Sequence, residues 1–355
     1  MKIAIISDIH SNPTALQKVL KDAEERKCER IVCLGDIVGY GYDPNACIDI
    51  VRDRNIECFL GNHDAGLIGK LSLDWFNGFA KNAILRQRPL VTDDNKKWLE
   101  SLPYSKVEGA EDEFAYAFTH GELMNPENFD YIQGYSDAVY ETHYMKEKDI
   151  DVLFIGHTHY ANIFFLDDNY RIREIEIKPA EYEDEFLVSP RSMGRGNEIP
   201  EKKACYVHKK NIPRVAKALS NEKTVQDVTG YDTSLRPAGT LAAGLGQQPN
   251  RRGESPRQAV ATPSRKHLTD LEDLLLYDLS RYEKSIVNVG SCGYPRNQPY
   301  IIYGIYETTT HEFYHRILPF DFDDYVKNMM KNEADIPIWI GSREEEAKKH
   351  PVMYN

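Results

Sequence analysis

The 355-residue sequence predicts an α/β fold organised around a mostly parallel sheet. Three observations carry that expectation. Roughly the first 165 residues alternate short apolar runs with segments of helical period. Five of the apolar runs end in Asp, Asn or His, so polar chemistry collects where strands stop. After Asp167 the pattern changes to the apolar–charged alternation of half-exposed antiparallel strands.

Ile3–Ile6 is a continuous apolar run, as expected of a strand buried on both faces. Pro13–Arg26 follows with Leu16, Val19, Leu20 and Ala23 at helical spacing. Ile31–Leu34 reads as the second strand, Pro44–Arg54 as the second helix and Cys58–Leu60 as the third strand. Strands separated by helices imply right-handed crossovers and parallel pairing. Further helices are expected between Leu73 and Leu102. Phe114–Phe118 and Val152–Ile155 are strands that each run into a histidine. Tyr170–Ile177 alternates as an antiparallel strand. Ser285–Val289 is a strand, Tyr300–Tyr306 and Glu312–Leu318 form a hairpin around Thr308–His311, and Phe322–Met330 is a last helix.

Between these halves the composition shifts. From Pro190 to His267 apolar content falls, and about 15 Lys and Arg stand against about 6 Asp and Glu on a chain whose net charge is −12. Arg236–Lys266 is expected to be disordered or a long mobile loop. Thr269 and Glu272 form a T-x-x-E capping box, and Leu268, Leu271, Leu274, Leu275 and Tyr282 share a face, so 268–282 is expected to be an amphipathic helix. The expected organisation is one domain from 1–167 and 285–330, with 168–284 inserted and 331–355 a polar tail.

The chain is 41% apolar and 28% charged, ample for a globular core. Its acidic balance argues against non-specific nucleic-acid binding by the body, although the basic insertion could attract a nucleic acid or an acidic partner. A tolerated surface insertion without a catalytic role is the simpler reading. The six cysteines form no C-x-x-C pair, and Cys33 and Cys58 lie inside apolar runs as buried free thiols, which fits a reducing cytoplasm. No signal-peptide pattern precedes the first strand and no apolar run approaches the roughly 18 residues of a membrane span, so a soluble cytoplasmic protein without membrane attachment is expected. The sequence leaves the oligomeric state open.

Seven side chains at the strand ends can ligate metal: Asp8 and His10 in SDIH, Asp36 in LGDIV, Asn62 in GNHD, His120 in THGE, and His157 with His159 in GHTH. Asp and Asn offer hard oxygen and His borderline nitrogen, a mixture suited to Mn first, with Fe, Zn or Ni as alternatives, rather than Ca or Mg. A carboxylate such as Asp36 can bridge two cations. Two divalent ions about 3.5–4 Å apart clamp a phosphoryl group and bring a shared water to a pKa near 7. His143, His208, His267, His311, His315 and His350 have no motif around them and receive no role.

With these motifs in this order the chain resembles the calcineurin-like metallophosphoesterases, in particular their small bacterial and archaeal phosphodiesterase–phosphatase branch. GDIVGYGYDPN and NVGSCGYPR add to the likeness, which covers about 1–166 and 285–320. The resemblance implies a four-layer αββα sandwich of two mixed sheets. It also implies that Asp8, His10 and His159 hold one metal, Asn62, His120 and His157 the other, and that Asp36 bridges them. His63 would face the substrate and protonate or stabilise the leaving oxygen, with Asp64 orienting its ring. The expected activity is hydrolysis of small phosphodiesters or nucleotides, with phosphomonoesters close behind, by a metal-bridging hydroxide.

Phosphoprotein phosphatases of the wider superfamily carry an arginine shortly after the bridging Asp. Here the string is Gly35-Asp36-Ile37-Val38-Gly39-Tyr40-Gly41, with none to grip a phosphate oxygen bidentately. A serine/threonine phosphoprotein phosphatase is therefore the second reading. A catalytically silent scaffold that binds protein partners is the third; such relatives lose ligands or the substrate-facing histidine, and this chain keeps both. Arg296 is placed where it could touch phosphate, or could simply fix its loop.

Overall fold

The computed structural model describes residues 1–109, 114–166, 172–179, 186–192, 276–295 and 300–334. Strand β1 (Lys2–Ile6) lies inside a six-stranded sheet. Its parallel neighbours are β2 (Arg30–Cys33) and, beyond it, β3 (Glu57–Cys58). On its other side β12 (Tyr300–Glu307) runs antiparallel, followed by β13 (Glu312–Pro319) and the edge strand β10 (Leu276–Asp278). A second, seven-stranded sheet is ordered β4 (Ser105–Glu108), β5 (Tyr116–Thr119), β6 (Val152–Ile155), β11 (Lys284–Asn288), β7 (Asn162–Leu166), β8 (Ile172–Pro179) and β9 (Phe186–Ser192).

Period-two burial builds the layers. Ile3 and Ile5 point between the sheets, where they pack with Val32, Phe118, Phe154 and Phe313. Ala4 and Ile6 point the other way, onto Leu16 and Val19 of α1 (Pro13–Glu25) and Val51 of α2 (Pro44–Asp53). The outer face of the second sheet, with Leu153, Ile155 and Ile286, is covered by Ala138 and Met145 of a later helix, Tyr135–Glu147. Helix, sheet, sheet, helix: the four-layer αββα architecture is present.

The first two helices start as their sequences dictate. Asn12 accepts from the Ala15 N–H ahead of Pro13, and Asp43 accepts from Ala46 N–H ahead of Pro44, so each pairs a polar N-cap with a preset proline φ. Five more helices complete the described fold: α3 (Asn62–Ile68), α4 (Gly78–Gln87), α5 (Asp93–Glu100), α6 (Tyr135–Glu147) and α7 (Phe322–Lys331).

Several elements differ from expectation. Helices α3 and α6 and strands β4, β7 and β9 carry no clear sequence signal. β8 and β9, which fall in the stretch read as inserted, extend the second sheet through β7. Residues 276–282, expected to end an amphipathic helix, instead form β10 and a short 3-10 turn, Leu279–Arg281. Pairing with β13, Tyr277 opposite Phe313, and burial of Tyr277 and Leu279 between the sheets outweigh the helical spacing. Leu268–Leu275, the basic stretch from residue 193 onward and the tail from 335 lie outside the described residues.

The two sheets are joined at one end by charge. Arg30 of β2 donates to both carboxylate oxygens of Glu108 on β4, at 2.6 and 2.7 Å, and also to Glu57 of β3. Lys106 completes the cluster at 2.7 Å from each of Glu57 and Glu108. Hydrogen bonding from Arg30 outweighs the cost of burial and holds Glu108 down at about 2, against 4.5 for a free glutamate. A depressed carboxyl pKa stabilises the fold above pH 4.5 and loses that contribution as pH falls towards 2. Glu108→Gln is therefore expected to cost about 1–2 kcal/mol at pH 7, after allowance for solvent screening, in urea melts. The gap to the unmodified protein should close as the melts move from pH 4.5 towards pH 2.

Glycine matters where the β2 and β3 loops meet. Gly35 holds φ +111°, and a Cβ there would sit 2.5 Å from the Gly61 nitrogen. That backbone contact brings Asp36 beside Asn62. Gly35→Ala should lower stability by about 2 kcal/mol or more, read as a fall in the urea midpoint at unchanged slope.

Candidate metal centre

All seven expected ligands lie at the carboxyl ends of parallel strands, where turns converge from both sheets. Asp8 and His10 follow β1, Asp36 follows β2, and Asn62 opens α3 after β3. His120 follows β5, and His157 and His159 follow β6. Every one is buried. Asp8, His10, Asp36, His157 and His159 also hold positive φ, between 46° and 66°, a region costly for residues with a Cβ. Such backbone strain persists only where surrounding contacts enforce it.

The side chains gather into overlapping groups. Asp8, His10 and His159 place ligand atoms within 4.8 Å of one another, as do Asp36, His120 and His157, and also His10, Asp36 and His63. Asn62 joins through its Oδ1, 3.2 Å from His120 Nε2. Asp36 Oδ2 lies 3.6 Å from His10 Nε2 and 3.4 Å from His120 Nε2, so it stands between the two sets.

The hydrogen bonds behind the rings fix which nitrogen faces inward. His10 Nδ1 donates to Val38 O at 2.9 Å, His120 Nδ1 to Leu34 O at 3.0 Å and His159 Nδ1 to Tyr294 O at 2.7 Å. A carbonyl only accepts, so each Nδ1 carries a proton and Nε2 is the atom turned into the cluster. His10 Nε2 and His159 Nε2 face each other at 3.1 Å. Asp8 Oδ1, buried 3.2 Å from His159 Nε2, has no hydrogen-bond donor. Lone pairs and carboxylates this close repel unless positive charge lies among them, and the donor set fits divalent cations.

The electrostatics point the same way. Burial would raise the Asp36 carboxyl, but His120, His63 and His10 together hold it well below the usual range. Burial would lower His120, yet Asp36, with Asp8 and Asp64, raises it to about 9. Burial, followed by His120, pushes His157 well down, so it presents a neutral ring. His157 also stacks flat on Tyr131, centroids 3.6 Å apart, and Tyr131 is exposed at the rim.

Asp64 is tied to the backbone of both neighbouring loops. Its oxygens accept from Val38 N–H and Gly61 N–H, each at 3.1 Å. It braces the backbone that carries Asp36 and His63. Burial, followed by the charge of Asp36, pushes its carboxyl up to about 7. The His63 N–H donates to Asp36 Oδ1 at 2.8 Å, and its ring lies between Tyr40, at 4.6 Å, and the edge of Phe76, at 5.2 Å.

Other supports carry no motif. Gln87 of α4 accepts from Ser11 Oγ and Gly39 N–H and donates to Gly41 O, clamping the loop after Asp36. Its only trace in the sequence is a glutamine in line with Ala80, Ala83 and Ile84 on a buried helix face. Ser291 Oγ donates to Asp8 O, so the NVGSCGY turn supports the first ligand loop. Tyr40 stacks on Tyr294 at 4.2 Å behind His10. Among the histidines given no role, His143 bonds Val139 O within α6 and His311 bonds Tyr306 OH in the β12–β13 turn. His315 is buried beneath the site. His208, His267, His350 and Arg296 lie outside the described residues. Cys28, Cys33, Cys47, Cys58 and Cys292 are free thiols, all but Cys28 fully buried.

Among the described residues no helix is long and apolar enough to cross a membrane. Residues 1–173 match the calcineurin-like phosphoesterase superfamily domain. An uncharacterized protein of Methanocaldococcus jannaschii is 38% identical over 194 residues, which span 54% of this chain and 76% of that protein. The crystal structure of a metallophosphoesterase from Sphaerobacter thermophilus superposes with a TM-score of 0.56 at 24% identity, covering 96% of this chain and 97% of the other. The chain belongs to the calcineurin-like phosphoesterase superfamily and is a metal-dependent phosphoric ester hydrolase.

Proposed function

We propose that the protein hydrolyses small phosphodiesters or nucleotides at a centre of two divalent metal ions, Mn first among them. The observation that supports this most directly is the placement of Asp36 between two ligand groups, each containing inward-facing histidines. In this reading Asp8, His10 and His159 hold one ion, Asn62, His120 and His157 hold the other, and Asp36 serves both. Bound there, the ions supply positive charge to the phosphoryl oxygens and acidify water at the centre.

The protein's own groups do the rest. Backbone carbonyls fix the ring tautomers, so the Nε2 atoms are ready to ligate without reorganisation. The N–H of His63 holds Asp36 Oδ1 in place. The His63 ring, seated against Tyr40 and Phe76, protonates the leaving oxygen. Choice of a diester over a phosphoprotein rests on the loop after Asp36: Gly39, Tyr40 and Gly41 stand where a phosphate-gripping arginine would be needed. The strongest influences on Asp36 after burial are histidines, not arginine or lysine. Buried free thiols agree with a reducing cytoplasm.

With Mn present, the protein should hydrolyse a bis-aryl phosphate faster than a phosphopeptide. Asp36→Asn is expected to remove most of that turnover. His63→Ala should lower kcat by about 10²–10⁴-fold while metal content stays at the unmodified level. Absence of Mn-dependent turnover on every diester, nucleotide and monoester tried would defeat the proposal. Asp64→Ala should act through the fold, costing about 2 kcal/mol or more in urea melts because two buried N–H groups lose their acceptor.

A further inference from the structure

His315 belongs to no motif, yet it occupies a telling place. It lies on β13 of the first sheet, 2% exposed, with its ring edge-on to Phe313 at 4.9 Å in the space between the sheets. Its Nε2 donates to Asn288 O at 2.7 Å. Asn288 ends β11 of the second sheet and is itself fully buried. The Asn288 amide donates to Gly156 O at 2.7 Å and Thr158 Oγ at 2.8 Å, while its Oδ1 accepts from Gly290 N–H at 3.1 Å. Gly156 and Thr158 alternate with His157 and His159 along the GHTH turn.

We infer that His315 and Asn288 form a cross-sheet clamp that positions His157 and His159 for metal binding, and that His315 is a positioning residue of the centre. The inference rests on the ligand assignment proposed above. Three features support a specific role rather than filling of space. The turn it holds carries two ligands at φ +66° and +65°, which need enforcement from outside. Those ligands fall in different groups, His159 with Asp8 and His10, His157 with Asp36 and His120, so a single clamp reaches both halves of the centre. A leucine or phenylalanine would fill the apolar space between the sheets at no desolvation cost, whereas His315 leaves Nδ1 buried without a partner and gains only the Nε2 bond to Asn288 O. Burial keeps that ring neutral, with its pKa down at about 4, so Nε2 remains an uncharged donor at working pH.

The order of events along the clamp is mechanical. His315 fixes the backbone of Asn288, Asn288 fixes Gly156 and Thr158, and the rings of His157, between them, and His159, next after them, are held in place. Partners of this kind outside the ligand shell typically contribute about 10–100-fold to metal affinity.

The test measures affinity for Mn and Co by competition with a chromophoric chelator, together with the visible absorption of the Co-loaded protein. His315→Leu should weaken both ions by about 10–100-fold and alter the Co spectrum. His315→Gln places an amide N–H near the lost Nε2–H and should return affinity to within about threefold of the unmodified protein. Asn288→Asp keeps the shape, removes both amide donors, and should weaken metal as His315→Leu does. Combined with His315→Leu it should add little, because the two act as one unit. Unchanged affinity and spectrum in folded His315→Leu would overturn the clamp, as would equal losses in the Leu and Gln variants. Should His315→Leu not fold, Asn288→Asp decides: retained affinity overturns the clamp, and lost affinity beside an intact Gln variant upholds it. If the unmodified protein binds neither ion, the ligand assignment fails and the clamp fails with it.

Discussion

Three histidine Nε2 atoms and two carboxylates converge among buried residues, and the rest of the molecule is arranged around that concentration of polar atoms. Left alone they would repel, and burial would raise the cost further. Asp36 is held ionised by His120, His63 and His10, while His120 is drawn towards its charged form by Asp36. Positive charge is what the cluster requires. Protons on the histidines can supply part of it, and divalent cations satisfy it with the geometry the ligands already have.

Holding such a cluster together demands rigidity from outside it. Five candidate ligands sit at positive φ, and backbone carbonyls of Leu34, Val38 and Tyr294 anchor three rings from behind. Gly35 lets two ligand loops touch, Gln87 and Asp64 tie the loop after Asp36, and Ser291 ties the loop after β1. The two sheets contribute different ligands, so their mutual packing is part of the site. Ile3, Ile5, Phe154 and Phe313 fix the distance between sheets, and with it the distance between Asp8 and His157.

What could be read from the sequence follows from how locally each feature is encoded. β1, β2 and β6 are legible because a strand buried on both faces is a continuous apolar run. The seven candidate ligands could be picked out because each motif is contiguous and ends such a run, and the fold brings them together. Helix α3 is not: NHDAGLI is short and begins with the ligand itself, so helical period never develops. Residues 276–278 mislead because leucines at helical spacing can also serve an edge strand, and the partner that decides, β13, lies far along the chain. The roles of Asp64, Gln87, Asn288 and His315 depend on contacts between distant segments, which no local pattern records. The contacts of the Asp64 carboxylate, back to Gly61 and across to Val38, appear only once the chain is folded.

The proposed two-ion centre, with Asp36 between the ions, has a direct chemical signature. Metal stoichiometry tests it most directly: the purified protein is equilibrated with Mn, freed of unbound ion and analysed for metal per chain, beside Asp36→Asn. Two ions per chain are expected in the unmodified protein and fewer than two in the variant. One ion or none in the unmodified protein, or two ions held equally well without the Asp36 carboxylate, would contradict it.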